Sequence, residues 1–258
     1  MMMSRMSWIP KGFTQVEKEG WHALVRLEHR DTLAAVLLGG QGLEPLPTSW
    51  GRGPLWQFRL EQDGGVLRQY RRGGLLRSLL PEGYFASNRP LRELCVWTHL
   101  YENGLSVPEP LGACWERRFG FYRGAIAARR VEARPLSTLL DHRTNFAEAK
   151  LGEVGRLIRA LHDRKVAHGD LQVANILINP DTVYVIDFDK ARWPIKMSRF
   201  RRARNLLRLR RSLEKIGFPP AYFGLICQGY GVESMPRWLD SLYRFKGKLS
   251  DLFARVCS

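Results

Sequence analysis

Three polar residues in the second half of the chain have the types and spacing that phosphoryl transfer requires. Asp170 lies in His168-Gly169-Asp170-Leu171, Asn175 follows five residues later, and Asp187 ends the next apolar run in Val185-Ile186-Asp187-Phe188-Asp189. A carboxylate in a tight loop can take the proton of an attacking hydroxyl. An amide oxygen and a second carboxylate at the bases of paired strands can face one divalent cation that bridges phosphates. Taken singly, each residue reads as a turn former, a cap or a satisfied loop amide. Taken in order they form the polar skeleton of a kinase catalytic loop and its metal motif. His168 reads as a scaffold for that loop rather than as a base.

The elements that must position these groups are visible in the hydrophobic pattern. Residues 146–164 form an amphipathic helix whose apolar stripe is Leu151, Val154, Leu157, Ile158 and Leu161. It delivers the chain to the loop at Asp170. Two short strands, Asn175–Ile178 and Val183–Ile186, flank the turn Asn179-Pro180-Asp181-Thr182. A basic helix is expected over about 199–216, with Leu206, Leu209, Leu213 and Ile216 on one side.

Upstream lies a candidate nucleotide-binding part. Gly51-Arg52-Gly53 precedes a strand, so Gly51 and Gly53 could let the backbone approach a phosphate. Strand-like runs Leu55–Glu61 and Val66–Tyr70 flank an Asp-Gly turn. Arg89-Pro90 opens a helix that ends at Asn103-Gly104, and residues 121–131 read as another strand. Arg68 stands on the second hairpin strand, where a kinase holds its phosphate-binding lysine, and Glu93 on the following helix is its expected partner. Residues 31–38 read as a short helix before Gly39-Gly40, and 132–135 as a linker. These features predict an α+β, bilobal, protein-kinase-like fold with a β-rich first lobe and a mostly helical second. The expected division is 1–132 for nucleotide binding and 133–258 for catalysis and acceptor binding.

Four segments together are more specific than the kinase skeleton. They are Val66-Leu67-Arg68-Gln69-Tyr70-Arg71-Arg72-Gly73-Gly74-Leu75, Arg89-Pro90-Leu91-Arg92-Glu93-Leu94, His168-Gly169-Asp170-Leu171 and Val185-Ile186-Asp187-Phe188-Asp189-Lys190. Over about Gly51 to Arg192 the chain resembles the 3-deoxy-D-manno-octulosonic acid (Kdo) kinases, which belong with the lipopolysaccharide core kinases. The resemblance implies ATP-dependent phosphorylation of the 4-hydroxyl of Kdo on a lipid A precursor, with Mg²⁺, in lipopolysaccharide core biosynthesis. It implies Asp170 as the catalytic carboxylate and Asn175 and Asp187 as metal ligands. It further implies peripheral attachment at the cytoplasmic face of an inner membrane. Asp189 stands where protein kinases have glycine, which argues against a protein-kinase-style activation switch.

The composition fits this reading. The 258 residues carry 41 Lys plus Arg against 25 Asp plus Glu, so the net charge is 41 − 25 = +16. Such a chain suits an anionic partner, though charge alone does not choose among nucleic acid, membrane and phosphorylated substrate. The absence of zinc spacing and of any RNA-binding signature disfavours nucleic acid. The Arg-dense run 199–211 can meet lipid phosphates or anionic headgroups, or can pack its leucines as a solvated helix. Arg71, Arg72 and Arg77 could add to substrate attraction. The longest apolar run, Leu33 to Leu38, is far too short to span a bilayer, and the first residues lack an apolar leader core. Cys95, Cys114, Cys227 and Cys257 form no C-x-x-C pair and read as reduced thiols. No obligate protein partner is expected. The competing readings are a heptose, other sugar or small protein kinase of the same fold, a basic nucleic-acid-binding module, and a non-catalytic scaffold.

Overall fold

The computed structural model describes residues 9–46, 54–61, 63–70, 84–85, 88–118, 121–141 and 145–232. Gly51, Gly53, Arg71, Arg72, Arg77 and Cys257 lie outside these residues. The chain divides into two compact units, Met1–Glu132 and Ala133–Ser258.

The first unit is built on an antiparallel sheet. Strands β1 (Phe13–Lys18) and β2 (Trp21–Arg26) form a hairpin that the alternation along the sequence did not announce. Its two-residue turn, Glu19-Gly20, has positive φ at both positions, which matches the right-handed twist of paired strands. Helix α1 (Arg30–Gly39) ends on Gly40 in the left-handed conformation, as the Gly-Gly pair predicts. Strands β3 (Glu44–Leu46), β4 (Leu55–Phe58), β5 (Gly65–Gln69) and β6 (Tyr84–Phe85) follow. Helix α2 (Arg89–Glu102) starts where Asn88 accepts a hydrogen bond from the Leu91 N–H and Pro90 occupies the first turn. Strands β7 (Pro110–Arg118) and β8 (Phe121–Arg129) complete the sheet, in the order β1-β2-β7-β8-β5-β4-β3 with β6 beside β8.

The core of this unit lies between the sheet and α1. Leu33, Val36 and Leu37 pack on Ala23, Val25, Leu67, Leu111 and Ala127. Along α2, residues at helical spacing do not all face the core. Leu94 and Thr98 are buried together with Val96, Trp97 and Leu100, while Tyr101 is exposed beneath the Arg26 guanidinium.

The second unit contains a three-stranded sheet and three α-helices among the described residues. Residues 134–135, expected as linker, form a two-residue strand β9 (Arg134–Pro135) against the central strand of that sheet. Helix α3 (Asn145–Asp163) buries all five residues of its predicted stripe. It lies so close to a later helix that a β-carbon on Gly155 would meet the Ile226 carbonyl. A 3-10 turn at Val173–Asn175 leads into β10 (Ile176–Ile178), which pairs with β11 (Val183–Val185). Asn179 turns the hairpin by accepting the Asp181 and Thr182 N–H groups on its side-chain oxygen. Helix α4 (Arg199–Lys215) is capped by Ser198, and helix α5 (Pro220–Tyr230) follows. On α4, Leu206, Leu209 and Leu213 are buried as expected and Leu207 joins them. Ile216 lies beyond the last turn and is exposed.

Candidate active site

Asp170, Asn175 and Ile186, the residue before Asp187, are tied together through His168 by a closed ring of hydrogen bonds. Asn175 donates from its amide nitrogen to the Asp170 carbonyl at 2.9 Å. The Asn175 carbonyl accepts the Ile186 N–H at 3.0 Å, which extends the β10–β11 ladder by one rung and sets Asp187 next along. His168 closes the ring. Its Nε2 lies 2.9 Å from the Ile186 carbonyl and its Nδ1 lies 3.3 Å from the Asp170 N–H. A carbonyl only accepts and an N–H only donates, so the histidine is the neutral tautomer with its proton on Nε2. Burial holds its pKa below the ordinary range and keeps it neutral, against the opposing pull of the Ile186 hydrogen bond and of the Asp187 and Asp170 charges. Its ring packs on the fully buried Phe188 at 5.3 Å between centroids.

Two local features allow this ring to close. Gly169 has φ +76°, and a β-carbon there would collide with the Lys190 carbonyl oxygen. Asp187 has φ +67°, a left-handed conformation that short polar residues tolerate better than most.

The Asp170 carboxylate is held by two cations. Lys190 Nζ donates to Oδ2 at 2.7 Å and Arg208 Nη1 donates to Oδ1 at 2.9 Å. Arg208 also donates to the Gly169 carbonyl. Burial works to raise the Asp170 pKa, but the Lys190 and Arg208 charges outweigh it and hold the carboxyl below its usual range. Asp170 is therefore ionised at neutral pH and available to accept a proton.

Neither cation was legible as a site residue, and the same holds for two further contacts from α4. Asn205 Oδ1 accepts the His168 N–H at 3.2 Å, and Ser212 Oγ accepts the Val173 N–H at 3.0 Å. Asn205, Arg208 and Ser212 recur at helical spacing on one face of α4. The arginine run expected to face outward thus turns part of its length inward, as a brace for the loop. The available signal was Asn205 within that run and Ser212 at its end, two uncharged polar residues beside buried leucines.

The donor chemistry at Asn175 and Asp187 fits Mg²⁺. Asn175 is buried and spends its amide nitrogen on Asp170, which leaves its side-chain oxygen as the remaining acceptor. Together with a carboxylate this makes a hard, all-oxygen pair, and Mg²⁺ commonly takes only one or two protein oxygens, completing its shell with phosphate and water. Among the described residues no three His, Cys, Asp or Glu side chains cluster as a metal cage, so a zinc-type site is not formed there.

In the first unit, Arg68 on β5 meets Glu93 on α2. Arg68 Nη2 lies 2.8 and 2.7 Å from the two carboxylate oxygens, and the Tyr70 hydroxyl also donates to Glu93. The Glu93 side chain is 0% exposed and that of Arg68 is 32% exposed. The arginine is therefore anchored from within, and its side chain remains part-exposed. The described cysteines are free thiols. Burial pushes Cys95 and Cys227 up to about 11 and Cys114 to about 12, so they are inert near neutral pH.

This architecture and its loop define a kinase-like α+β protein. A solved structure described as WaaP in complex with acyl carrier protein matches 94% of this chain and 97% of its own, with a TM-score of 0.55 at 17% identity, a likeness of fold. The model of the lipopolysaccharide kinase (Kdo/WaaP) family matches residues 43–230, and the chain belongs to that family. It is 35% identical to a 3-deoxy-D-manno-octulosonic acid kinase of Vibrio cholerae, over 66% of this chain and 74% of the relative. It is 38% identical to one of Xylella fastidiosa (64% and 68%) and 37% identical to one of Mannheimia succiniciproducens (64% and 73%).

Proposed function

We propose that this chain transfers the terminal phosphoryl group of ATP to the 4-hydroxyl of Kdo on a lipid A precursor, at the cytoplasmic face of an inner membrane. The observation that carries the reading is the hydrogen-bonded ring joining Asp170, Asn175 and the residue before Asp187, in a member of the lipopolysaccharide kinase family. Asp170 takes the proton of the acceptor hydroxyl, and its ionised state supports that role. Lys190 and Arg208 fix the carboxylate from either side so that one orientation is presented. Asn175 and Asp187 are the metal ligands, and Mg²⁺ held there supplies charge against the phosphates. Arg68, fixed by Glu93, is the phosphate-binding cation of the first unit and takes the place of the usual lysine. Gly51 and Gly53 are the candidate glycines of the phosphate turn. The units 1–132 and 133–258 serve nucleotide binding and acceptor phosphorylation respectively. The attachment proposed is peripheral; no helix among the described residues is long and apolar enough to cross a membrane.

The test is incubation of the chain with Mg-ATP and a Kdo-bearing lipid A precursor, followed by mass spectrometry of the lipid and location of the phosphate. The expected product carries one phosphate on the Kdo 4-hydroxyl. Asp170→Asn should lower turnover by about 10²–10⁴-fold. Transfer to a heptose-bearing core or to a protein, with none to Kdo, would refute the acceptor assignment.

A further inference from the structure

The cations of α4 fall into two groups. Arg202 is paired with Asp163 at 2.8 Å, Arg208 with Asp170 and Arg210 with Glu214 at 2.9 Å. Lys196, Arg199 and Arg204 have no acidic partner among the described residues, and neither has Lys165 at the end of α3. Phe200, an aromatic side chain 56% exposed on the first turn of α4, follows Arg199 directly and lies four residues after Lys196. Arg201 joins them by donating to the Lys196 carbonyl at 3.1 Å, and Arg204 lies one turn beyond Phe200 on the same face.

Where the segment before α4 passes the end of α3, the second unit has a cavity of about 590 Å³. Lys165, Lys196 and Arg202 supply cations to its wall, while Pro194, Ile195 and Met197 supply an apolar lip. Asp163, its one carboxylate, already accepts from Arg202 and Arg159. Lys165 holds φ +60° where α3 closes, with its N–H on the His162 carbonyl and the Val166 N–H on the Leu161 carbonyl. Glycine ordinarily fills such a position without strain, and here a lysine fills it and lines the cavity.

From these observations we infer that the cavity walled by Lys165, Lys196 and Arg202 is a headgroup site for an anionic phospholipid, with Phe200 inserted into the bilayer beside it. The inference rests on the peripheral attachment argued above and assigns that attachment to particular residues. Charge complementarity selects the occupant. Lys165 and Lys196, in the cavity wall without acidic partners among the described residues, match lipid phosphate; the apolar lip matches the glycerol end of a headgroup, and the exposed Phe200 on the adjoining helix matches acyl chains.

The experiment is sedimentation of the full chain with vesicles of phosphatidylcholine alone or mixed with phosphatidylglycerol, at low and high salt. The site variant Lys165→Gly/Lys196→Gln/Arg199→Gln removes the two cavity cations that have no acidic partner and the Arg199 beside Phe200, leaves the Arg202–Asp163 pair intact, and relieves the backbone at residue 165, so folding is favoured. The control Lys11→Gln/Lys18→Gln/Arg30→Gln removes three charges from the first unit. At roughly fivefold per charge near an anionic surface, the site variant should bind about 100-fold more weakly to mixed vesicles. The control should change binding only a few-fold, and Phe200→Ser should weaken it without altering its salt dependence. Equal losses in both triple variants would overturn the assignment and leave attachment to overall charge. Saturable binding of inorganic phosphate lost in the site variant, with vesicle binding intact, would make the cavity a soluble-anion site and also overturn it. Retained vesicle binding with loss of an acidic protein's binding would give the face to a protein partner. If the unmutated chain binds neither vesicle, peripheral attachment itself fails. Phosphorylation of a dispersed Kdo acceptor by all variants would show that the kinase reading stands apart.

Discussion

The pair Arg68–Glu93 predicts that stability and nucleotide binding can be separated. Glu93 is a buried carboxylate that accepts two contacts from one guanidinium nitrogen and a third bond from Tyr70. Breaking a buried pair by removing one partner costs about 3–5 kcal/mol, because the other charge is left without its counterpart. The Tyr70 bond remains in Arg68→Ala, and Arg68 is already part-exposed, so the expected loss is about 3 kcal/mol, at the low end. Replacing both partners by apolar groups removes the orphaned charge. Arg68→Met with Glu93→Leu then leaves mainly the Tyr70 hydroxyl without its acceptor, a cost of about 1 kcal/mol. The double variant should thus be about 2 kcal/mol more stable than Arg68→Ala, while neither binds ATP as the unmutated chain does. Urea unfolding with hydrogen exchange read at β5 and α2 measures the first quantity, and calorimetric titration with Mg-ATP the second. Equal instability of the single and double variants, or a loss below about 1 kcal/mol in Arg68→Ala, would refute the buried-charge argument. Full ATP affinity in either variant would refute the role given to Arg68.

Other outcomes follow from the second unit. In Lys190→Met the Asp170 carboxyl loses one of two cations that outweigh its burial, so its pKa rises and the acid limb of the pH–rate profile moves to higher pH; an unmoved limb would show that another group sets it. Gly169→Ala forces a β-carbon into the Lys190 carbonyl at a positive φ, and should cost about 2–3 kcal/mol of stability and most of the turnover, read by unfolding and by product formation. His162 is buried against Tyr230, and burial first, then Arg202, lowers its pKa from 6.5 to about 4. The unfolded chain therefore takes up the proton first as pH falls. Its contribution, present in full above pH 6.5, is lost towards pH 4, by about 3 kcal/mol on the linkage relation. A stability profile in His162→Leu as steep as that of the unmutated chain would assign the acid sensitivity elsewhere.

The sequence made the second unit's helices and hairpin legible because their signals are local. The stripe of α3 has one period throughout, and Asn179 punctuates the β10–β11 hairpin by bonds within three residues. The β1–β2 hairpin escaped notice because Glu19 occupies a turn position usually given to Asn or Asp. At the candidate site, Asp170, Asn175 and Asp187 stand out in the sequence because a loop and a hairpin hold them within a short span. Lys190 was hidden by reversal of chain direction, which brings it back over Gly169. Arg208 was hidden among arginines of identical local appearance, and only the tertiary contact to Asp170 tells it from its neighbours. The outward and inward arginines of α4 differ by helical phase, which a count of charge does not register.

The separation between Asp170 and Arg208 has a temporal meaning. The loop leaves the ribosome 38 residues before the arginine that steadies it. A nascent chain therefore carries the proposed proton acceptor before it carries the means to aim it. Phosphoryl transfer awaits translation through α4, so partial products of synthesis are poor enzymes by construction.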